Sequence, residues 1–287
     1  MRLSEVYQQK RPVLSFEIFP PKRDTTLTSI DETLEVLCGL KPDFISVTFG
    51  AGGSATNSLT VGLAKKIKKE YGIEPVVHLT CINYTKEEIL AFADELAEAN
   101  IENVLALRGD KNPDIPPKEE FFYASELVSF LREQRSNLCV AGACYPEGHT
   151  EAPDKVTDLH NLKKKTEAGA EFLISQLFFD NDLYYRFREN MRIADINAPV
   201  SAGIMPVINR AQIERMVTLC GASLPEKFKR ILQKYEFAKD ALFDAGMVYA
   251  VNQIVDLVAH DAEGIHVYTM NNPVVAKRIC DSIKNLI

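Results

Sequence analysis

Short hydrophobic runs recur along the chain at intervals of roughly 30 residues, the length of one strand–helix unit of an α/β fold. Each of the first six runs contains a polar residue or is followed by one. These runs are Val13–Phe19, Phe44–Phe49, Val76–Cys81, Val104–Leu107, Leu138–Tyr145 and Phe172–Phe178. Because the strands of a parallel barrel carry their chemistry at their carboxyl ends, the pattern predicts that these polar side chains meet at one end of a barrel.

Segments with helical spacing fill the intervals between the runs. Thr85-Lys86-Glu87-Glu88 is a capping-box pattern that predicts the start of one helix. Two further strands, at Val200–Met205 and Ile265–Thr269, and a last helix over about 274–283 complete the series. The helical segments between strands seven and eight are Ala211–Cys220, Glu226–Tyr235 and Glu236–His260, and they predict an extra helix there.

Alternating strands and helices predict the α/β class, and eight such units close naturally into a parallel (β/α)8 TIM barrel. We expect a single domain over residues 1–287, with the extra helix between strands seven and eight. The alternative is an open doubly wound sheet, which normally has a glycine-rich turn after its first strand. Here the first strand ends in Phe19-Pro20-Pro21, and proline has no backbone N–H to donate.

Composition narrows the class of protein. The 287 residues are 46% hydrophobic and have a net charge of −7, which is ordinary for a globular protein and argues against nucleic acid or a membrane as partner. Residues 1–9 have no apolar signal core, and Ala241–Ala259 is interrupted by polar residues, so we expect an amphipathic helix there. Six cysteines without a CxxC pair predict reduced thiols in a cytoplasmic protein.

Glu17 is the first candidate for acid–base chemistry. Strand alternation places it on one face and Phe16 and Ile18 on the other. If the aliphatic face meets the helices, Glu17 points into the barrel mouth. Burial there is expected to raise the pKa of its carboxyl, so that it donates a proton near neutral pH. From position alone, a structural glutamate paired with lysine or arginine is an equally good interpretation.

Three other motifs fall at strand ends. Arg108-Gly109-Asp110 follows strand four on the predicted catalytic face, although a turn with a surface ion pair is the simpler interpretation. His78 and Cys81 have the spacing of half a metal site, but a core or ligand-contacting histidine is the better interpretation. Gly50–Ser54 permits close backbone approach to a ligand, yet lacks the lysine of a P-loop.

Taken together, these segments resemble the bacterial type of the methylenetetrahydrofolate reductase family. The matching stretches are Ser15–Lys22, Phe44–Ser54, His78–Cys81, Ala106–Asp110, Ala143–His149, Asn161–Ala170, Gln176–Asp180, Pro206, Asn209 and Tyr268–Asn271. They run in order along nearly the whole chain, so the resemblance is more specific than any single motif. It implies an FAD-containing (β/α)8 barrel that reduces 5,10-methylenetetrahydrofolate to 5-methyltetrahydrofolate, with hydride from NADH, NADPH or a redox partner protein.

The resemblance also implies roles for individual residues. Glu17 matches the general acid that protonates the departing N10 of the folate, and Asp110 matches a catalytic aspartate near flavin and substrate. Gln176 and Gln212 match substrate-contacting glutamines. The implied flavin contacts are Thr48, Phe49, Ala51, His78, Arg108, Gly109, Asp110, Tyr123, Tyr145, His149, Asp158, Asn161, Lys164 and Lys165. No metal ligand is implied, and relatives often form homo-oligomers.

The chain departs from the family pattern at three positions. Phe49 stands where relatives often have tyrosine, and Met216 stands near a phenylalanine of one relative. Asn272 stands where relatives often have an arginine linked to the nucleotide or the folate glutamate tail.

Two other functions remain open at this point. One is a flavin-holding subunit of an electron-transfer complex that is not catalytic alone. The other is a metal-dependent barrel aldolase or methyltransferase that uses His78, Cys81 and His149.

Overall fold

Eight parallel strands form a closed barrel in which each strand pairs with the next and the eighth pairs with the first. The computed structural model describes residues 1–10, 12–21, 27–49, 54–111 and 116–287, with side chains for all of these except 27–29, 54–58 and 212. The strands are β1 (Val13–Ile18), β2 (Phe44–Val47), β3 (Glu74–Thr80), β4 (Asn103–Leu107), β5 (Cys139–Cys144), β6 (Phe172–Ser175), β7 (Val200–Ile204) and β8 (Gly264–Tyr268). This topology confirms the predicted (β/α)8 barrel.

Helices alternate with the strands around the outside. They are α1 (Leu3–Gln9), α2 (Leu27–Gly39), α3 (Ser54–Tyr71), α4 (Lys86–Glu98), α5 (Ala124–Gln134), α6 (Lys155–Glu167), α7 (Asn181–Ile193), α8 (Arg210–Cys220), α9 (Glu226–Lys234), α10 (Lys239–Ala259) and α11 (Pro273–Ile283). Three of them, α8 to α10, lie between β7 and β8, where the repeat needs one. The expected extra helix is therefore confirmed, and a second accompanies it.

The predicted start of α4 is confirmed by a reciprocal capping box. The Thr85 hydroxyl accepts a hydrogen bond from the backbone N–H of Glu88 at 3.2 Å, and the Glu88 carboxylate accepts one from the N–H of Thr85 at 2.8 Å. Each bond satisfies an amide that the helix itself leaves without a partner.

Strand alternation divides the side chains of β1 between two layers. Leu14, Phe16 and Ile18 are buried among the residues that join the barrel to its surrounding helices. Ser15 and Glu17 face the barrel interior, as the alternation predicts. Glu17 lies beside Ser46 of β2 on one side and Tyr268 of β8 on the other in the strand register.

The short helix α1 closes the amino-terminal end of the barrel. Leu3 and Tyr7 are buried in a cluster with residues near the strand starts, including Phe44 and Phe172. The rings of Tyr7 and Phe172 are 5.2 Å apart, and the Tyr7 hydroxyl lies 2.7 Å from the Ser201 hydroxyl. Because this end is filled, a ligand has access to the barrel interior at the carboxyl-terminal end of the strands.

Helix α10 is long and apolar enough to cross a membrane by length and composition alone. In the structure it packs against α7, α9, α11 and β7. Met247, Ile254 and Leu257 are among the side chains that it buries there, while Val248 and Val255 are exposed. One face of α10 thus packs against the barrel and its neighbouring helices, and the other face is exposed to solvent, as expected for an amphipathic helix.

We predict that the α1 plug contributes substantially to stability. Leu3→Ala removes a fully buried side chain from the plug and should lower the free energy of unfolding by about 2–5 kcal/mol. Gln8→Ala, at an exposed position of the same helix, should change it by less than about 0.5 kcal/mol. Urea unfolding measures both, and equal effects of the two substitutions would contradict the packing role of α1.

Candidate active site

A cavity of about 640 Å³ opens at the carboxyl-terminal end of the strands. Polar side chains that line it are Glu17, His78, Thr80, Asn83, Arg108, Asp110, Lys111, Tyr145, His149, Gln176 and Tyr268. Its volume lies within the range of roughly 300–1,000 Å³ that is usual for small-molecule sites. Five of the six strand ends therefore bring their polar residues together, as the sequence pattern predicts, while Thr48 after β2 is not part of the lining.

Glu17 lies at the floor of this cavity between two histidines. Its Oε2 is 3.5 Å from Nε2 of His78 and 3.6 Å from Nε2 of His266. The Glu17 side chain is 19% exposed, while those of His78 and His266 are 8% and 0% exposed. The carboxylate is thus the most exposed member of the trio.

His266 is held from behind by the neighbouring strands. Its Nδ1 lies 2.8 Å from the Ser15 hydroxyl, and its Nε2 lies 3.5 Å from the Ser46 hydroxyl. The ring also stacks on Phe44 with 6.0 Å between ring centroids. Sequence reasoning did not single out His266, although alternation within β8 places it on the same inward face as Tyr268.

Burial raises the pKa of Glu17, but its contacts with His266 and the Ser46 hydroxyl outweigh burial and lower that pKa below its ordinary value. Burial lowers the pKa of His78 to about 4. At neutral pH the ligand-free cavity therefore holds an ionised Glu17 beside a neutral His78. The expectation of a raised Glu17 pKa is wrong for the ligand-free protein, because strand alternation predicted its burial and not its two imidazole partners.

The buried Nε2 of His78 makes no hydrogen bond to any described residue. A buried nitrogen without a partner costs free energy, so such atoms are rare in proteins. This nitrogen lies at the cavity wall beside Glu17. A ligand in the cavity would supply the missing partner.

The β4 loop forms a charged side of the cavity. Arg108 makes two hydrogen bonds to Glu151, at 2.8 Å and 2.6 Å, and this contact lowers the pKa of Glu151 to about 2. Gly109 has φ 88°, and a Cβ there would lie 3.0 Å from Thr80. Asp110 follows with an exposed side chain at the cavity rim.

The β5 loop forms the adjoining side. Tyr145 and His149 pack edge to face with 4.6 Å between ring centroids. Partial burial lowers the pKa of His149, and the positive charge of Arg108 lowers it further. The Glu147 carboxylate accepts hydrogen bonds from the backbone N–H of Ser223 at 2.9 Å and 3.1 Å, which ties this loop to the segment after α8.

Another part of the cavity lining is apolar and rich in sulfur. It consists of Leu177, Met205, Met216, Cys220 and Met270. Most of these residues belong to one cluster with the aromatic side chains of α9 and α10. Helix α8 and the segments after β6, β7 and β8 therefore build the side of the cavity that is suited to an aromatic ring.

The implied site residues fall into three groups. Those that line the cavity are Glu17, Phe49, His78, Arg108, Gly109, Asp110, Tyr145, His149 and Gln176. Those described elsewhere are Thr48, Tyr123, Asp158, Asn161, Lys164 and Lys165. Ala51, with the rest of Gly50–Gly53, lies outside the described residues, as does the side chain of Gln212.

Lys165 lies directly behind the cavity wall. Its Nζ donates a hydrogen bond to the backbone carbonyl of Ala143 at 2.6 Å, and burial lowers its pKa. Asn161 and Lys164 are exposed on the same helix, and Tyr123 is 63% exposed. These side chains surround the cavity at a distance and do not form its floor.

Among the residues that the structure describes, no group of three or more His, Cys, Asp or Glu side chains is arranged to hold a metal ion. Cys81 is fully buried in the outer core, and burial raises its pKa to about 12. It faces away from the cavity that His78 and His149 line. The structure thus does not bring together the three residues of the metal-dependent alternative.

Comparison with known proteins decides the family. The family model described as methylenetetrahydrofolate reductase matches residues 2–284. The chain belongs to the methylenetetrahydrofolate reductase family. Membership confirms the resemblance seen in the sequence and makes the protein an oxidoreductase of folate one-carbon chemistry.

Curated members of the family match over most of this chain. The 5,10-methylenetetrahydrofolate reductases of Pectobacterium carotovorum and Escherichia coli are each 33% identical to it, over 96% and 94% of this chain and 91% and 90% of their own. Methylenetetrahydrofolate reductase (NADH) 1 of Arabidopsis thaliana is 32% identical over 94% of this chain. This chain spans about half, 48%, of that plant protein.

Solved structures support the fold. A protein from Clostridium thermocellum, described as binding two copies of 5-methyl-5,6,7,8-tetrahydrofolic acid, covers the whole chain with a TM-score of 0.69 and 13% identity. Tryptophan synthase from M. tuberculosis gives a TM-score of 0.54 at 15% identity. At these identities the likeness shows the fold alone.

The depressed pKa of His78 predicts a pH-dependent stability of this family member. Between pH 6.5 and about 4 the unfolded chain binds a proton at His78 that the folded chain does not. The free energy of unfolding should therefore fall across this window as pH decreases, by up to about 3 kcal/mol from this residue. The contribution of Glu17, whose folded pKa is also lowered, is lost at still lower pH, below its ordinary value of 4.5.

His78→Gln should remove most of that fall, because glutamine does not titrate. His160→Gln, at an exposed position on α6, is the matched control and should retain it. Urea unfolding of the ligand-free proteins at several pH values measures the effect. The same pH dependence in His78→Gln as in the unsubstituted chain would contradict a buried neutral imidazole.

Proposed function

We propose that this chain reduces 5,10-methylenetetrahydrofolate to 5-methyltetrahydrofolate, with FAD as its cofactor and Glu17 as its general acid. The reaction is the one named for the bacterial relatives that match nearly the whole chain. The observation that carries the assignment of roles is that Glu17 and Asp110 line one cavity at the catalytic end of the barrel.

The residues present fit a flavin. A buried nitrogen of His78 makes no hydrogen bond to a described residue, and the left-handed backbone of Gly109 and Gly148 permits close approach to the wall. Phe49, Arg108 and His149 also line the cavity. FAD supplies, when bound, a carrier that takes hydride from NADH, NADPH or a protein donor and delivers it to the folate. Arg108, now paired with Glu151, would serve the diphosphate.

Glu17 supplies the proton that opens the methylene bridge. Ring opening produces a reactive iminium cation when N10 departs, and a proton delivered to N10 assists that departure. In the ligand-free cavity Glu17 is ionised, so substrate must change its state. Folate that covers the 19% exposed carboxyl removes its remaining water and favours the neutral acid, since His78 is already neutral.

Asp110 and Gln176 act on the same substrate from the rim. The Asp110 carboxylate stabilises the cation electrostatically and can accept hydrogen bonds from the pterin. Gln176 lines the cavity beside the apolar wall, where its Oε1 accepts a hydrogen bond from the backbone N–H of Leu177 at 2.8 Å. Gln212 is proposed as a second contact from the family resemblance.

The cellular setting is part of the proposal. All six cysteines are free thiols, four of them buried, which supports a reducing compartment such as the cytoplasm. A homo-oligomer remains a prediction from the family resemblance. NADH, NADPH and a partner protein are all candidate electron donors, because this chain has Asn271-Asn272-Pro273 in the stretch where relatives often carry an arginine.

Glu17→Gln tests the proton-donor role. The purified chain is reconstituted with FAD, its flavin is reduced either by NADH or NADPH or with dithionite, and folate is added anaerobically in a stopped-flow instrument. Reduction by the donor should be retained. Reoxidation by methylenetetrahydrofolate should slow by about 10²- to 10⁴-fold, because the acid is gone.

Glu5→Gln, exposed on α1 at the other end of the barrel, should retain both half-reactions. Equal loss of both half-reactions in Glu17→Gln would reject the acid role. A reduced flavin in the unsubstituted chain that the folate cannot reoxidise would reject the function itself. A flavin that folate reoxidises but neither nucleotide reduces would point to a partner electron donor.

Gly109→Ala tests the flavin site. A side chain at φ 88° costs roughly 1–2 kcal/mol in the left-handed region and would crowd Thr80, so FAD affinity should fall by about tenfold. Gly72→Ala is the control, because Gly72 has φ 69° with open space around its Cβ position at the end of α3. It should destabilise the fold to a similar degree and leave the FAD dissociation constant unchanged. Equal FAD affinity in Gly109→Ala and the unsubstituted chain would contradict the assignment.

A further inference from the structure

The pairing of β1 with β8 ends at the residue that carries the chemistry. Glu17 is opposite Tyr268, the last residue of β8. Beyond this pair, neither strand continues the regular backbone hydrogen-bond ladder. On the β1 side Pro20 and Pro21 have no N–H to donate, and on the β8 side Met270 and Asn271 both have φ 53°.

Side chains replace the backbone ladder at this point. The Thr269 hydroxyl donates a hydrogen bond to the backbone carbonyl of Glu17 at 2.7 Å. The Asn271 amide nitrogen donates to the carbonyl of Phe19 at 2.8 Å, and its amide oxygen accepts from the N–H of Phe19 at 3.0 Å. We refer to Thr269 and Asn271 together as the β8 clamp.

The left-handed backbone serves two purposes here. It turns the Asn271 side chain back onto Phe19, and asparagine tolerates this conformation better than most residues. Met270, which has the same left-handed backbone, lies in the cavity wall. Thr269 is 1% exposed, so its hydroxyl bond to Glu17 is shielded from competing water.

The neighbouring residue Asn272 has a different role from Asn271, because it caps a helix. Its side chain accepts hydrogen bonds from the N–H groups of Val274 and Val275 and caps α11. No bond of Asn272 reaches β1 among the described residues. Two adjacent asparagines thus divide their roles between helix capping and the backbone of the catalytic strand.

We propose that Thr269 and Asn271 are positioning residues for Glu17, which hold the end of β1 so that its carboxyl stays between His78 and His266. This inference rests on the proposed role of Glu17 as general acid. The two imidazoles lie 3.5 Å and 3.6 Å from one carboxylate oxygen, so a small displacement of the β1 backbone changes both contacts. Neither clamp residue touches the reacting atoms, and each acts through the Glu17 backbone.

The test uses Asn271→Gly and Thr269→Val in the FAD-loaded chain. Glycine keeps the left-handed backbone and removes both amide bonds, while valine keeps the shape of threonine and removes the hydroxyl. Each should slow reoxidation of reduced flavin by methylenetetrahydrofolate by about 10- to 100-fold, since small misplacements of a catalytic group have effects of this size. Flavin reduction by the donor should be unchanged.

A second readout needs neither cofactor nor substrate. The ¹³C carboxyl resonance of Glu17, assigned with Glu17→Gln, reports its titration in the ligand-free chain. The titratable groups that face Glu17 are His78 of β3, His266 and Tyr268 of β8, and Cys220 of α8. Loss of the clamp should move the Glu17 pKa up toward its ordinary value, as the contacts that lower it are weakened.

Two controls separate positioning from stability. Thr269→Ser retains the hydroxyl and should restore both the folate step and the titration. Ile279→Ala removes a fully buried side chain of α11 and should lower thermal stability without affecting either readout. Wild-type folate rates in Thr269→Val and Asn271→Gly, or equal slowing of both half-reactions with an unchanged Glu17 titration, would overturn the inference.

The design also distinguishes this inference from the proposed function. If Glu17→Gln leaves the folate step intact, the general-acid role fails and the clamp has no catalytic purpose. If Glu17→Gln abolishes that step and the clamp variants behave as the unsubstituted chain, the function stands and the clamp inference fails.

Discussion

The site depends on one carboxylate that the closed barrel places between two imidazoles. Glu17, His78 and His266 come from β1, β3 and β8, so their proximity requires the β1–β8 pairing that closes the sheet. Burial disfavours the charge of Glu17, and its neighbours restore it. The carboxylate is consequently ionised at neutral pH, and a ligand that removes water from the cavity would favour the neutral acid.

The two ends of the barrel differ in how they are packed: one is filled by apolar side chains, and the other carries the cavity. At the amino-terminal end α1 packs Leu3 and Tyr7 among large buried side chains. At the other end the strands finish in polar residues, while Met205 after β7 and Met216 of α8 belong to an apolar part of the cavity lining. The cavity thus combines charged and apolar lining residues, a combination suited to an aromatic, polar-edged molecule such as a pterin.

Periodicity predicted the barrel, the capping box at Thr85 and the inward direction of Glu17, because these features depend on neighbours in sequence. It did not predict the lowered pKa of Glu17, since the responsible His266 is 249 residues away in the chain and meets it only on closure. The same rule of alternation would have placed His266 on the inward face of β8. The role of Asn271 depends on a left-handed backbone that no sequence pattern specifies.

Proton uptake on substrate binding tests the central claim most directly. Methylenetetrahydrofolate is titrated into the chain loaded with oxidised FAD, where no hydride is available, by calorimetry at neutral pH in buffers of different ionisation enthalpy. The account predicts uptake of about one proton by the unsubstituted chain, as Glu17 becomes neutral under the bound substrate, and none by Glu17→Gln. Binding without proton uptake in the unsubstituted chain, or equal uptake in both, would contradict it.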